Sequence, residues 1–162
     1  VDTILDIILE TNCVAFVNVL DQSEDNVRLF IQHPRVMIGS DASAFAPYGM
    51  LGMVVPHPRT YGTFPRVIAR YVRQEKILSL SEAIRKMTSL PASRMGVKDR
   101  GVLARGKKAD LVLFDAATIE DRATYENPNQ YPAGIKAVVV NGKIVVENDE
   151  HTGELPGKVL TK

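Results

Sequence analysis

The chain opens on VDTILDIILE, in which Ile4, Leu5, Ile8 and Leu9 fall on one face of a 3.6-residue period, with Asp2 or Thr3 available to cap the first turn. A short amphipathic helix is predicted there. CVAFVNV, beginning at Cys13, is a nearly continuous apolar run, too short for a helix that stands alone and suited to a strand covered on both faces, with Cys13 buried in it as a small hydrophobe. Ser23 then precedes EDNVRLFIQ, whose leading acids favour a helix start, and His33-Pro34 ends that helix. VMIGSD, residues 36–41, reads as a second buried strand. Strand, helix and strand within about thirty residues make a βαβ unit, which implies parallel strands and a right-handed crossover.

Residues 42–61 are rich in Gly and Pro and show no sustained period, so a loop that is functional or disordered is expected. In TFPRVIARYVRQ, Thr63 is the expected cap, Pro65 lies in the first turn, and Val67, Ile68, Tyr71 and Val72 form an apolar face. SLSEAIRKMTSL offers a capping box, Ser79 with Glu82, and sets Leu80, Ala83, Ile84 and Met87 on one side. Pro91 should break or kink this helix, leaving a further turn closed by Gly96. Beyond Gly96 the pattern turns to β. GVLARGKKADLVLFDAA reads as a short strand, a turn and a buried strand, and IKAVVVNGKIVVEN as a hairpin whose Asn141-Gly142 accepts positive φ at both turn positions. The tail HTGELPGKVLTK is expected to be irregular.

Composition narrows the partners. The chain has 162 residues, and its 20 Lys and Arg against 19 Asp and Glu leave a net charge of +1 with no long block of one sign, so nucleic acid is not an expected partner. No apolar stretch approaches the roughly 18 residues of a membrane span, and the acids in VDTILDIILE set it apart from a secretory signal. The cytoplasm is the expected compartment. The single cysteine, Cys13, cannot form an internal disulfide. With Val1 in place of a methionine, a processed or truncated chain is expected.

The candidate chemistry centres on Asp41. If the βαβ unit belongs to a (β/α)8 barrel, Asp41 lies at the C-terminal end of a strand, where barrel enzymes assemble their active sites. There a carboxylate can take a proton from a metal-bound water and pass it to a leaving amine; alternatively, Asp41 caps the following turn. Ser40 beside it, His57 and Arg59 are candidates for substrate binding, since the planar fork of Arg matches a carboxylate. Equally, Arg59 and Arg66 could pair with surface acids. His33 and His151 read as structural or solvated. ARGKKAD is a charged turn without the Gly-rich nest of a phosphate loop. Three widely separated histidines cannot by themselves build a His-rich zinc site, and no Gly-x-Ser-x-Gly elbow is present.

In order along the chain, VMIGSD, HPRTYGTFPRVIARYVR, LSLSEAIRKMTSLPASRMGVKDRGVLARGKKADLVLFD and HTGELPGKVL resemble the C-terminal part of the N-acyl-D-amino-acid deacylases, or D-aminoacylases, of the amidohydrolase superfamily. IRKMTSLPA followed by ADLVLFD is shared across many amidohydrolases, whereas HPRTYGTFPR is more specific to the deacylase branch. The resemblance implies a zinc-dependent (β/α)8 barrel joined to a small β-sandwich. Residues 1–96 would carry the last strands and helices of the barrel, with CVAFVNV and VMIGSD as its seventh and eighth strands, and residues 97–162 would return to the sandwich. It also implies that Asp41 is the proton-shuttling eighth-strand aspartate and a possible metal ligand, with His57 and Arg59 in the loop over the active site. The metal-binding histidines of the family come from earlier strands. The 162-residue chain alone is therefore expected to hold no stoichiometric zinc and to be inactive.

Two other readings compete with that of a zinc-dependent deacylase acting on N-acyl-D-amino acids. One is a non-catalytic helix-and-sandwich interaction module. The other is a different amidohydrolase, dihydroorotase-like or an isoaspartyl dipeptidase. In either case uncovered strand edges should drive the isolated chain to self-associate.

Overall fold

The computed structural model describes residues 2–13 and 22–160. The amphipathic spacing at the N-terminus yields α1 (Asp2–Glu10), which buries none of its residues. Cys13 corrects the expectation of a buried strand residue: it lies exposed in the turn after α1, with φ of 64°. The rest of the expected strand CVAFVNV, from Val14 onward, falls outside the described residues.

Ser23 and the acids Glu24 and Asp25 start α2 (Glu24–Gln32), and His33 ends it, as the sequence implies. Residues 36–41 join no ladder among the described residues, and the run expected to pair with them, from Val14 onward, lies outside those residues. A parallel strand is created by its neighbours. Here the segment is held from α4 (Leu80–Met87), whose Lys86 carbonyl accepts the Ile38 N–H at 3.1 Å.

The loop after Asp41 contains a short 3₁₀ turn (Met50–Met53) before α3 (Arg59–Arg66). This helix begins earlier than Thr63, and Pro65 sits inside it rather than in its first turn. Thr63 is no cap: its hydroxyl donates back to the Arg59 carbonyl at 2.9 Å. Proline offers no N–H to the carbonyl four residues before it, and the chain continues as a π-helix, Val67–Gln74. The wider turn ends where Glu75 N–H meets the Arg70 carbonyl at 2.7 Å.

On α4, Ser79 accepts the Glu82 N–H at 3.2 Å, which is half of the expected capping box; the Glu82 carboxylate turns instead to Arg85. The helix breaks at Thr88 rather than at Pro91, which lies inside the following α5 (Ser89–Arg94), closed by Gly96 at φ of 75°. The core of this half gathers Ile31, Val67, Tyr71, Leu78 and Ala83, with Ile38, Val72, Ile77 and Met87 packed around them. Leu80, expected on the buried side of α4, is exposed, and Lys86 is enclosed instead.

A polar network ties α2 to the π-helix. Arg28 forks onto Glu75 at 2.9 and 3.1 Å, Arg70 meets Glu75 at 2.8 Å and Glu24 at 3.1 Å, and the Tyr71 hydroxyl donates to Glu24 at 2.6 Å. Burial, reinforced by Glu24, pushes the Tyr71 phenol up to about 12. The Arg28 hydrogen bonds, then those of Arg70, lower the Glu75 carboxyl from 4.5 to about 2. A depressed carboxyl stabilises the fold fully above its unfolded pKa and loses that contribution as pH falls through its folded value. Denaturation midpoints should therefore hold steady above pH 4.5 and decline toward about 2. Glu75→Gln should flatten that part of the decline; a variant with the acid profile of the parent would remove Glu75 from it.

The C-terminal half forms one four-stranded antiparallel sheet in the order β1 (Leu111–Phe114), β2 (Ile135–Val140), β3 (Lys143–Glu147) and β4 (Glu150–His151). The short strand expected between Gly101 and the charged turn is absent among the described residues, and β1, expected to be buried, exposes Leu111, Val112 and Leu113. The Asn141-Gly142 turn has φ of 49° and 81°, as the hairpin requires. It is also an anchor. Asn141 N–H donates to Asp110, its side chain donates to the Pro156 carbonyl and accepts from Arg100, and Gly142 N–H donates to the Ala109 carbonyl.

Candidate active-site loop

The polypeptide leaves segment 36–40 at Asp41, which adopts φ of 50°, a left-handed conformation that Asp tolerates better than most residues. Its carboxylate points into solvent, 85 % exposed, and meets the Arg59 guanidinium at 2.9 Å. This ion pair, Arg59 being 46 % exposed, is the surface-acid reading of Arg59, and it joins two of the residues singled out from the sequence. Arg66 pairs likewise with Asp121 at 3.0 Å.

His57 is brought to the same place through the backbone. Its Nδ1 accepts the Arg59 N–H at 3.0 Å, across Pro58, so that ring nitrogen carries no proton. The proton then resides on Nε2, which lies 3.1 Å from the Tyr125 hydroxyl. The rings meet edge to face, with centroids 5.1 Å apart and an interplanar angle of 83°. Partial burial and then the Arg59 charge both lower the His57 pKa, which keeps the ring neutral near pH 7. Ser40 is half-buried just before Asp41, with no side-chain partner among the described residues. His33 and His151 play structural parts: each accepts, at Nδ1, a backbone N–H two residues on.

Under this loop lies a segment the sequence reading did not single out. Asn129 donates to the carbonyls of Gly52 and Val54 at 3.2 and 3.1 Å, Tyr131 packs edge-on against Tyr61, and Asp121 lies so near Gly62 that an added Cβ would come within 3.1 Å of it. Burial raises the Tyr61 and Tyr131 phenols above their ordinary range. The only hint in the sequence is DRATYENPNQY itself, where two tyrosines and three amides stand in a stretch without apolar periodicity.

No three His, Cys, Asp or Glu side chains converge among the described residues. Asp41, already engaged by Arg59, is at most one contributor to a metal centre, so these residues do not fit a complete metal site. A cleft of about 400 Å3 lies elsewhere, between the π-helix and Glu120-Asp121. Its charged walls are largely paired with one another.

Residues 15–146 match the model of the amidohydrolase family. Over 141 residues the chain is 45 % identical to the N-acyl-D-aspartate deacylase of Alcaligenes xylosoxydans xylosoxydans, an alignment covering 87 % of this chain and 26 % of that protein. Among solved structures, the N-acyl-D-glutamate deacylase of Bordetella bronchiseptica, complexed with zinc and a phosphonate mimic of the tetrahedral intermediate, superposes with a TM-score of 0.74 at 42 % identity; the match covers 86 % of this chain and 28 % of that one. A D-aminoacylase studied for its binuclear metal centre superposes with a TM-score of 0.73 at 41 % identity, covering 82 % and 27 %. The chain thus spans about a quarter of the length of the curated relatives it matches, 26 % in the first case. With a family match running from residue 15 to residue 146, and these helices and this antiparallel sheet superposing on the deacylases, the chain belongs to the amidohydrolase family.

Proposed function

We propose that this chain works as part of a metal-dependent hydrolase that cleaves the amide bond of N-acyl-D-amino acids, with Asp41 as its proton-transfer group and Arg59 as its contact to the substrate carboxylate. The single observation that carries the reading is the meeting of Asp41 and Arg59 at 2.9 Å on a loop whose sequence is akin to that of the deacylases. The Asp41 carboxylate removes a proton from the water that attacks the amide carbonyl. An oxygen–carbon bond forms, the carbon–nitrogen bond breaks, and the proton passes from Asp41 to the departing amine, which regenerates the carboxylate. Arg59, exchanging Asp41 for the substrate, offers its planar fork to the amino-acid carboxylate. Ser40 and His57 line the same rim.

In this reading residues 1–96 finish a (β/α)8 barrel, with 36–41 as its last strand, and residues 97–162 belong to a small β-sandwich. The metal is held by residues beyond this sequence. Uncovered apolar surface supports the arrangement. The accessible area is 11682 Å2, against about 8,000 Å2 expected for a monomer of 17.9 kDa. Ile4, Leu5, Ile7 and Leu9 on α1, and Leu29 and Phe30 on α2, are exposed and suited to burial by the remainder of such a barrel. The same surface would make the isolated chain self-associate.

Assaying the full-length enzyme with N-acetyl-D-amino acids and their L enantiomers tests the proposal. Release of the free D-amino acid with little turnover of the L form is the expected outcome. Turnover of cyclic amides only, or equal rates for both enantiomers, would replace it with another amidohydrolase activity.

A further inference from the structure

We propose that Tyr125 is a positioning residue for Arg59, acting through the imidazole of His57. The inference deepens the reading of Arg59 as the substrate-carboxylate contact and rests on it. Tyr125 Oη lies 3.1 Å from His57 Nε2, His57 Nδ1 accepts the Arg59 N–H at 3.0 Å, and Arg59 Nη2 reaches Asp41 Oδ2 at 2.9 Å. The contacts form one continuous line from the 121–131 segment to the carboxylate.

Each link constrains the next. Arg59 is the first residue of α3, and its N–H is one of the donors that a helix leaves without an internal partner. His57 satisfies that donor across Pro58, closing the kind of ring that an Asn or Asp side chain closes in an Asx turn. An imidazole can do so only while Nδ1 is unprotonated. With its proton on Nδ1 instead, the ring would set one donor against another, and the first turn of α3 would lose its cap. The Tyr125 oxygen accepts from Nε2–H and so selects the tautomer that leaves Nδ1 free.

Tyr125 is otherwise poorly explained. The residue is 50 % exposed, so its burial contributes little to the core. The segment that carries it is nevertheless well fixed: Asn129 grips the Gly52 and Val54 carbonyls, Asp121 pairs with Arg66, and Gln130 donates to the Arg122 and Asn127 carbonyls. A rigid support that ends in a half-exposed phenol touching a histidine suits a part that orients its neighbour. The edge-to-face ring contact sets the angle at which the hydroxyl meets Nε2.

The test uses the full-length enzyme. Tyr125→Phe keeps the ring contact and removes the hydroxyl, so KM for the acylamino acid should rise about five- to tenfold, the worth of one neutral hydrogen bond, with kcat falling by less. Nitrogen-15 NMR of His57 should pass from a single Nε2–H tautomer to a mixture. His57→Asn supplies an oxygen that accepts the Arg59 N–H without any tautomer to choose. In that background Tyr125→Phe should change KM by less than about twofold. An unchanged tautomer in Tyr125→Phe, or an equal rise in KM whether residue 57 is His or Asn, would overturn the proposal. The NMR signature does not depend on turnover. An enzyme without deacylase activity would sink the functional reading, while the tautomer would still decide the role of Tyr125.

Discussion

Replacing Asp41 with Asn should lower kcat for amide hydrolysis by about a hundred- to ten-thousandfold, the usual contribution of a positioned general acid–base group, with KM changing far less. Asn keeps the shape of the side chain and, like Asp, accepts the left-handed φ of 50° at this position, so no backbone strain accompanies the change. It cannot take up the proton of the attacking water. The stability cost should be small, because the Arg59–Asp41 pair is solvated on both sides and such pairs contribute about 0–1 kcal/mol. Activity and stability are thereby separable. Steady-state kinetics beside a denaturation curve of the same variant check both. Should Asp41→Asn turn over within about threefold of the parent, far short of that range, Asp41 would be reduced to the surface partner of Arg59.

The second large effect is expected at Lys86. This side chain is completely enclosed, 0 % exposed, on the side of α4 that also buries Ala83. Its ammonium donates to the carbonyls of His33 and, at 3.0 Å, Val36, and stands 3.7 Å from Glu82. Hydrogen bonds to a charged group contribute about 1.5–3 kcal/mol each, and enclosing the ammonium takes back several kcal/mol. Because the backbone carbonyls remain after mutation and lose their donors, Lys86→Met should destabilise the protein by about 2 kcal/mol net. Lys86→Ala should cost more, since it also empties the volume of the stem. Chemical denaturation of the three proteins measures the order. A Met variant more stable than the parent would mean that desolvating the charge outweighs the bonds it makes. The functional consequence follows from position, because Lys86 holds residues 33–38, the segment that delivers Asp41.

The local elements were legible in the sequence where a single side-chain period or a single turn residue decides the outcome. The helices at 2–10, 24–32 and 80–87, the Ser79 cap, the Gly96 stop and the Asn141-Gly142 hairpin all follow from neighbours a few residues apart. Where a distant partner decides, sequence reasoning missed. Leu111–Phe114 is apolar enough for a core, yet its first three residues stand exposed, because burial depends on a second layer that composition cannot supply. Pro65 was expected in a first turn; local rules gave no sign that the preceding turn starts at Arg59, under the hold of His57.

The candidate site divides in the same way. Asp41, His57 and Arg59 could be picked out from the sequence, because a carboxylate ending an apolar run and an Arg in a Pro-rich loop are unusual placements visible in one dimension. Tyr125, Asn129 and Lys86 could not. Their significance lies in atoms 68, 77 and 50 residues away along the chain, at His57, Gly52 and Val36. By itself the sequence determined which segments are helical and where the hairpin turns, since these depend on short-range sterics and capping. Only the tertiary structure decided that Arg59 faces Asp41, that His57 keeps one tautomer and that a lysine is enclosed on α4, because each depends on which distant group occupies the neighbouring space.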